Sequence, residues 1–309
     1  MSKRLDDLRT VDPVLSTIAQ GYKNSAFVYN TLFPVVKVRK MKGKVPYFGK
    51  DAFTVRETQR SIRSDSNRIQ PSDFNLIEYE TSEQDIESAL DYLEEEESAD
   101  FYKYEQRLTK DLSDILELGK EKAAADLAQD ESQYPSDSKT EITFSEAFND
   151  YSLNLDPVSI IKDAMSAVRG KIAKYPNTMI IGDASYRAII NHPKVIERIK
   201  YAGISHLTQK HLSELLEIPD IKIGLAVYSN DGETFSDVWQ DNIILAYCDK
   251  SKNSAKSEFN PSFGYTFQKQ NKPEIDTYYE NGGKIKVIRN TDNYDVKITS
   301  FEAAHLIFN

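Results

Sequence analysis

One cysteine, Cys248, stands in 309 residues, so no intrachain disulfide can form. Its neighbours Ala246 and Tyr247 point to a packed strand position rather than a reactive thiol. No apolar run approaches twenty residues, which excludes a membrane-spanning helix of ordinary length. The opening MSKRLDDLRTVDP has no apolar signal-peptide core, so the expectation is a soluble protein made and kept in the cytoplasm. Neither G-x-x-x-x-G-K-[ST] nor G-x-G-x-x-G occurs, and the nucleophile elbow G-x-S-x-G and the zinc motif H-E-x-x-H are missing too. The single tryptophan, Trp239 in FSDVWQDNIILAY, reads as packing at a strand entry rather than a ligand-stacking ring. Positive charge is the scarcer sign, with 39 Lys and Arg against 49 Asp and Glu for a net −10. That balance argues against sequence-specific duplex binding as the main task, because such affinity comes largely from neutralising phosphates. The chain reads as a non-enzyme with no catalytic, cofactor-binding or metal-binding residue to name.

Histidine is scarce but clustered: three of the four, His192, His206 and His211, lie in NHPKVIERIKYAGISHLTQKHLSELLEIP. Two histidines that clamp a metal from one helix sit three or four residues apart so that both rings share a face, and His206 and His211 are five apart. Asn191-His192-Pro193 is instead a helix start, with proline where its missing N–H costs nothing. Thr208 is a second N-cap, flanked by Leu207 and Leu212 at the spacing of a hydrophobic staple. Leu212, Leu215 and Leu216 then share one apolar face, leaving His211 in an exposed first turn and His206 in the loop before it. The stretch predicts a pair of short helices, not an active site.

Along the chain the hydrophobic period changes several times. VDPVLSTIAQGYKNSAFVYNTLFPVVKVRK begins helical and becomes extended, like an arm. Residues 37–80 alternate around Gly43 and Gly49 as a long, polar, two-stranded excursion, which has little core of its own and must rest on something else. From Ser82 the spacing of Ile86, Leu90 and Leu93 predicts an acidic helix, followed by a second over Asp100 to Gln129 that would span about 45 Å at ~1.5 Å per residue. Asp156 to Pro219 alternates helix and strand, with NTMIIG as a short buried strand; IKIGLAVY and NIILAYC follow, and GYTFQKQ, EIDTYYE, KIKVIRN and YDVKITSFEAAHLIF end the chain as strands. The fold class is α+β. Charge is segregated as well: Lys and Arg dominate between Lys37 and Arg68, whereas Glu78 to Asp100 is acidic with no Lys or Arg.

The order of these elements, with the phrases NTMIIGDASYRAIINHPKVIERIKY, LTQKHLSELLEI, IKIGLAVYSN, VWQDNIILAYC and PSFGYTF, resembles the tailed-bacteriophage major capsid proteins of the Hong Kong ninety-seven shell fold, from Val11 to Asn309. The resemblance implies an N-terminal arm (1–36), an extended loop (37–80), a peripheral domain (81–150 and 263–291) whose spine is the long helix, and an axial domain (151–262 and 292–309). It implies a virion protein, assembled in the host cytoplasm, whose pentamers and hexamers form an icosahedral shell around double-stranded DNA without sequence-specific binding. Separate scaffold, portal and decoration proteins would be partners, and no membrane or cofactor is involved. Because the arm-like pattern begins by Val11, no room is expected for an N-terminal scaffolding segment. Some relatives join subunits through a lysine of the extended loop; Lys40, Lys42, Lys44 and Lys50 are candidates by type only. An encapsulin-like compartment around a cargo enzyme is the alternative reading, and a soluble α+β enzyme a third.

The charge inversion adds an expectation of its own. A basic hairpin with little core must rest on another surface, and the resemblance implies that the extended loop lies across a neighbouring subunit, so Lys40, Lys42, Lys44, Arg56, Arg60 and Arg63 of one copy would face Glu83, Glu87, Asp91, Glu94, Glu95, Glu96 and Glu97 of the next.

Overall fold

The computed structural model describes residues 10–22, 24–46, 55, 58–60, 65–67, 76–97, 101–142, 155–200, 207–250 and 262–308. In chain order, β1 (Thr10–Val11) leads to α1 (Pro13–Gly21), α2 (Tyr29–Leu32), β2 (Val35–Val38) and β3 (Lys42–Pro46). Next come β4 (Leu76–Glu80), β5 (Ser82–Asp91), α3 (Tyr92–Glu97), α4 (Phe101–Gln129) and β6 (Lys139–Glu141). Then follow α5 (Pro157–Ile172), β7 (Thr178–Gly182), α6 (Asp183–Ile190), α7 (Pro193–Ile199), α8 (Gln209–Leu216) and β8 (Asp220–Gly224). The remainder is β9 (Val227–Tyr228), β10 (Ser236–Asp237), β11 (Ile243–Ala246), β12 (Gly264–Lys269), β13 (Glu274–Glu280), β14 (Ile285–Ile298) and β15 (Ala304–Phe308).

Two sheets share the long helix α4. The six-stranded sheet runs β1-β13-β14-β12-β2, with β5 on the other edge of β14. Its inner face packs Leu90, Ile275 and Ile288 against Leu112 of α4 and Leu15 and Ala19 of α1. The five-stranded sheet runs β6-β15-β11-β7-β8. One of its faces, with Met179, Ile181, Ile243 and Leu245, meets α5 and α8; the other, with Ile180, Ile244 and Leu306, meets Ala124, Ala125 and Ala128 near the end of α4 and Leu32 and Phe33 of the arm. Coverage on both faces is why NTMIIG and NIILAYC are continuous apolar runs rather than alternating ones. Alanines on α4 let the helix lie close to that sheet, and its 29 residues reach about 44 Å at ~1.5 Å per residue, enough to serve both sheets.

The local stop and start signals act as their chemistry requires. Asp12 Oδ1 accepts from the Val14 and Leu15 amides with Pro13 at the first helical position, and Asp156 caps α5 ahead of Pro157 in the same way. His192 Nδ1 accepts the Lys194 amide at the start of α7. Thr208 and His211 form a reciprocal capping box at α8, so His211 serves the helix start, and Leu207 and Leu212 join one core cluster as the staple predicts. His206 lies outside the described residues. Cys248 is fully buried but sits two residues beyond the end of β11, so it is packed without being in a strand; the Asn177 side chain brackets it, donating to its carbonyl and accepting from its amide. Burial pushes the thiol up to about 12, which leaves it inert.

The acidic helix expected from Ser82 is a strand. Ile86 and Leu90, four residues apart, fit either period, but Ser88 between them also faces inward while Glu87 and Ala89 are exposed. β14 supplies a continuous antiparallel partner, from Ile285 opposite Asp91 to Tyr294 opposite Ser82. Leu93 belongs to α3. KIKVIRN and the start of YDVKITS, read as separate strands, are one 14-residue strand, because both halves find partners on either edge.

Candidate assembly surface

Strand geometry decides which acidic side chains stand together. On a helix Glu83, Glu87 and Asp91 would share a face and Asp85 would not; on β5 the two-residue period puts Glu83, Asp85, Glu87 and Asp91 on one side. Asp85 is thus a member that the helical reading missed. Their face is the outer one, away from α4, and Glu83, Asp85 and Glu87 are exposed. Glu87 accepts from Tyr278 Oη at 3.0 Å, and Glu83 accepts from Asn293 Nδ2 at 3.4 Å. Across the same face Arg289 pairs with buried Asp276 at 2.6 Å, which raises the guanidinium pKa further, and its charge lies 5.3 Å from the Tyr278 ring centre. Among the described residues no strand pairs with the second edge of β5. Glu94 on α3 is exposed and accepts from the Asp91 amide; the backbone of Glu95, Glu96 and Glu97 continues that helix.

The basic partners are distributed differently. Lys42 and Lys44 lie on β3 and pair within the chain, across the ladder to β4, with Glu80 at 2.5 Å and Glu78 at 2.6 Å. The Lys44 ammonium holds the fully exposed Glu78 carboxyl below its usual range. Lys40 is exposed just before β3, and Arg60 is exposed further along the hairpin. Arg56, Arg63 and Lys50 lie outside the described residues. The structure therefore groups four expected acids on or beside β5, and places two expected lysines against acids of their own hairpin.

Behind this surface lies a buried ionic frame. Lys120 of α4 reaches Asp292 at 2.5 Å and Glu117 at 2.6 Å, and Gln268 donates to Asp292 at 2.6 Å. Burial works against the Lys120 ammonium, but Asp292 and Glu117 outweigh it and leave its pKa raised. Glu121, fully buried one residue on, accepts from the Val28 and Tyr29 amides and from Trp239 Nε1 at 2.5 Å, tying together the arm, the helix and the loop that leads into β11. Burial raises the Glu121 pKa, against the lowering effect of those donors. Gly224 leaves room for the Trp239 side chain: a Cβ there would lie 2.5 Å from the Trp239 Cβ and 2.6 Å from its ring. No group of three or more His, Cys, Asp or Glu disposed to hold a metal occurs among the described residues, and none of their helices is long and apolar enough to cross a membrane.

The arrangement, two sheets on one spanning helix with a charged hairpin leaving one of them, has full-length counterparts. A major capsid protein of Burkholderia phage BcepMu is 38% identical over 305 residues, 98% of each chain. The chain belongs to the phage major capsid protein family. A crystallised phage-related protein from Bordetella bronchiseptica superposes with a TM-score of 0.80 at 30% identity over 97% of both chains. The mature capsid of bacteriophage PhiM1, at 10% identity and a TM-score of 0.51, covers 94% of this chain and 89% of its own, and shares the fold alone. That fold is the Hong Kong ninety-seven type, and the chain is a structural component of the virion capsid. A family model described as DNA polymerase III, delta subunit, also matches residues 46–144. This is under half of the chain, and it separates β5 from β14, its ladder partner, so it corresponds to no independent unit of the fold.

Proposed function

We propose that copies of this chain assemble as pentamers and hexamers into a closed icosahedral shell around double-stranded DNA, in the host cytoplasm, with separate scaffold and portal proteins. The observation that carries this reading is the full-length 38% identity to a major capsid protein. In this reading residues 1–36 are the arm, 37–80 the extended loop, 81–150 and 263–291 the peripheral domain, and 151–262 and 292–309 the axial domain. DNA is enclosed rather than read, in keeping with the net charge of −10. A heterologous contact repeated with small angular changes closes rings and then shells.

The contact we propose sets Lys40, Lys42, Lys44, Arg56, Arg60 and Arg63 of one copy toward Glu83, Glu87, Asp91 and Glu94 to Glu97 of the next, with Asp85 added by the strand geometry. Each exposed pair contributes only ~0.2–1 kcal/mol, so register and repetition matter more than any single pair. Lys42 and Lys44 lend the reading less support, because Glu80 and Glu78 already hold them. Expression with the neighbouring genes of its genome, followed by electron microscopy and a nuclease-protection assay, tests the proposal. Closed particles holding nuclease-resistant DNA are expected. Particles filled with a cargo protein would reassign it to a compartment, and stable monomer under all conditions would refute assembly.

A further inference from the structure

The hairpin β3–β4 is a two-stranded ribbon, and such ribbons are marginally stable by themselves, so the direction in which it leaves the sheet has to be set at its root. Several independent contacts meet there. β4 and β5 are one extended run interrupted only at Thr81, where the chain hands its pairing from β3 to β14. Thr81 is 2% exposed, and its amide and hydroxyl both donate to the Met41 carbonyl, at 2.8 and 3.3 Å. The Glu80 amide donates to Asp295 Oδ2 of β14 at 3.0 Å. Tyr79 turns back from the ribbon and stacks on buried Phe267 of β12, with ring centres 4.5 Å apart and planes 14° from parallel. On the other strand Gly43 lies opposite Tyr79, and a Cβ there would fall 2.5 Å from the Tyr79 hydroxyl and 2.6 Å from its ring carbons. The ring therefore occupies a slot with Phe267 on one side and the bare backbone of Gly43 on the other.

We infer that Tyr79, held between Phe267 and Gly43, is a positioning residue that sets the departure angle of the hairpin and, through it, the angle between neighbouring subunits, with Thr81 and Asp295 locking the root. The inference rests on the assembly reading, in which the hairpin reaches the next copy. A ribbon with a free root would sample many directions and seat on its neighbour with no single curvature.

Three variants test it. Tyr79→Ala removes the ring. Gly43→Ala deletes nothing but displaces the ring from Phe267. Tyr79→Phe keeps the stack and serves as the conservative control. On the unassembled subunit, hydrogen exchange of the Glu80 and Thr81 amides is expected to speed up about tenfold or more in the first two variants and to stay as in wild type in the third. In assembly reactions, Tyr79→Ala and Gly43→Ala should give particles of mixed diameter and open sheets, whereas wild type and Tyr79→Phe give one diameter. Wild-type exchange rates, or uniform shells of wild-type diameter, in both Tyr79→Ala and Gly43→Ala would overturn the inference. If the wild-type chain forms no particles, the assembly reading fails, and unchanged exchange in those two variants still overturns the role of the root.

Discussion

Every position of β7 in the five-stranded sheet is buried, whereas β4 in the hairpin alternates between exposed and half-covered, and no residue of it is fully buried. Both are five-residue strands of one chain. The first is completed by its own helices on both faces, and its apolar run states as much. The second has a register, ion pairs and one stacked ring, but no core. The six-stranded sheet lies between these extremes, with an inner face closed by α1 and α4 and an outer face lined on β5 by carboxylates. The contrast separates what the chain buries by itself from what it leaves exposed.

The largest effect on stability should come from splitting the buried frame. Lys120→Met leaves Asp292, which has no exposed surface, without its cation and should cost ~3–5 kcal/mol. Replacing both partners, as Lys120→Met with Asp292→Leu, should recover most of that loss in denaturant titrations. Next, Ile181→Ala in the five-stranded sheet should cost about 2–5 kcal/mol. Leu76→Ala on the hairpin, where the side chain is exposed, should stay within about 0.5 kcal/mol. Equal losses at the two sites would erase the contrast.

A smaller effect is expected from His305, which burial and then Lys171 push down to about 4. A base with a depressed folded pKa takes up its proton more readily when unfolded, so its contribution is present above about 6.5 and is lost as pH falls toward 4. The loss is at most about 3 kcal/mol. His305→Gln, which can still meet Thr140, should flatten this segment of the melting-temperature profile relative to wild type. Lys42→Ala should likewise change stability by only about 0.2–1 kcal/mol, because both members of its pair with Glu80 are largely exposed.

What the sequence disclosed divides along the same line. The helix starts at His192-Pro193 and Thr208, and the strands NTMIIG and NIILAYC, were legible because their causes lie within a few residues of one another. β5 was not, because Ile86 and Leu90 satisfy two periods at once and the strand that decides between them lies some 200 residues further on. The segregation of charge was visible, but the pairing of Lys42 with Glu80 and Lys44 with Glu78 depends on the hairpin register, which the polar alternation leaves open. Asp85 was lost from the acidic face by the same error of period that turned β5 into a helix.

The central claim, that a second copy completes the acidic face of β5, is tested most directly by charge reversal read by electron microscopy alongside thermal unfolding. Changing Glu83, Asp85 and Glu87 together to Lys should leave the melting temperature of the isolated subunit nearly unchanged and strongly reduce closed particles. Adding Lys40→Glu, Arg56→Glu, Arg60→Glu and Arg63→Glu in the same chain should partly restore them. Normal shells from the triple reversal alone would contradict the claim, and the acidic face would then be a solvated surface of the capsid.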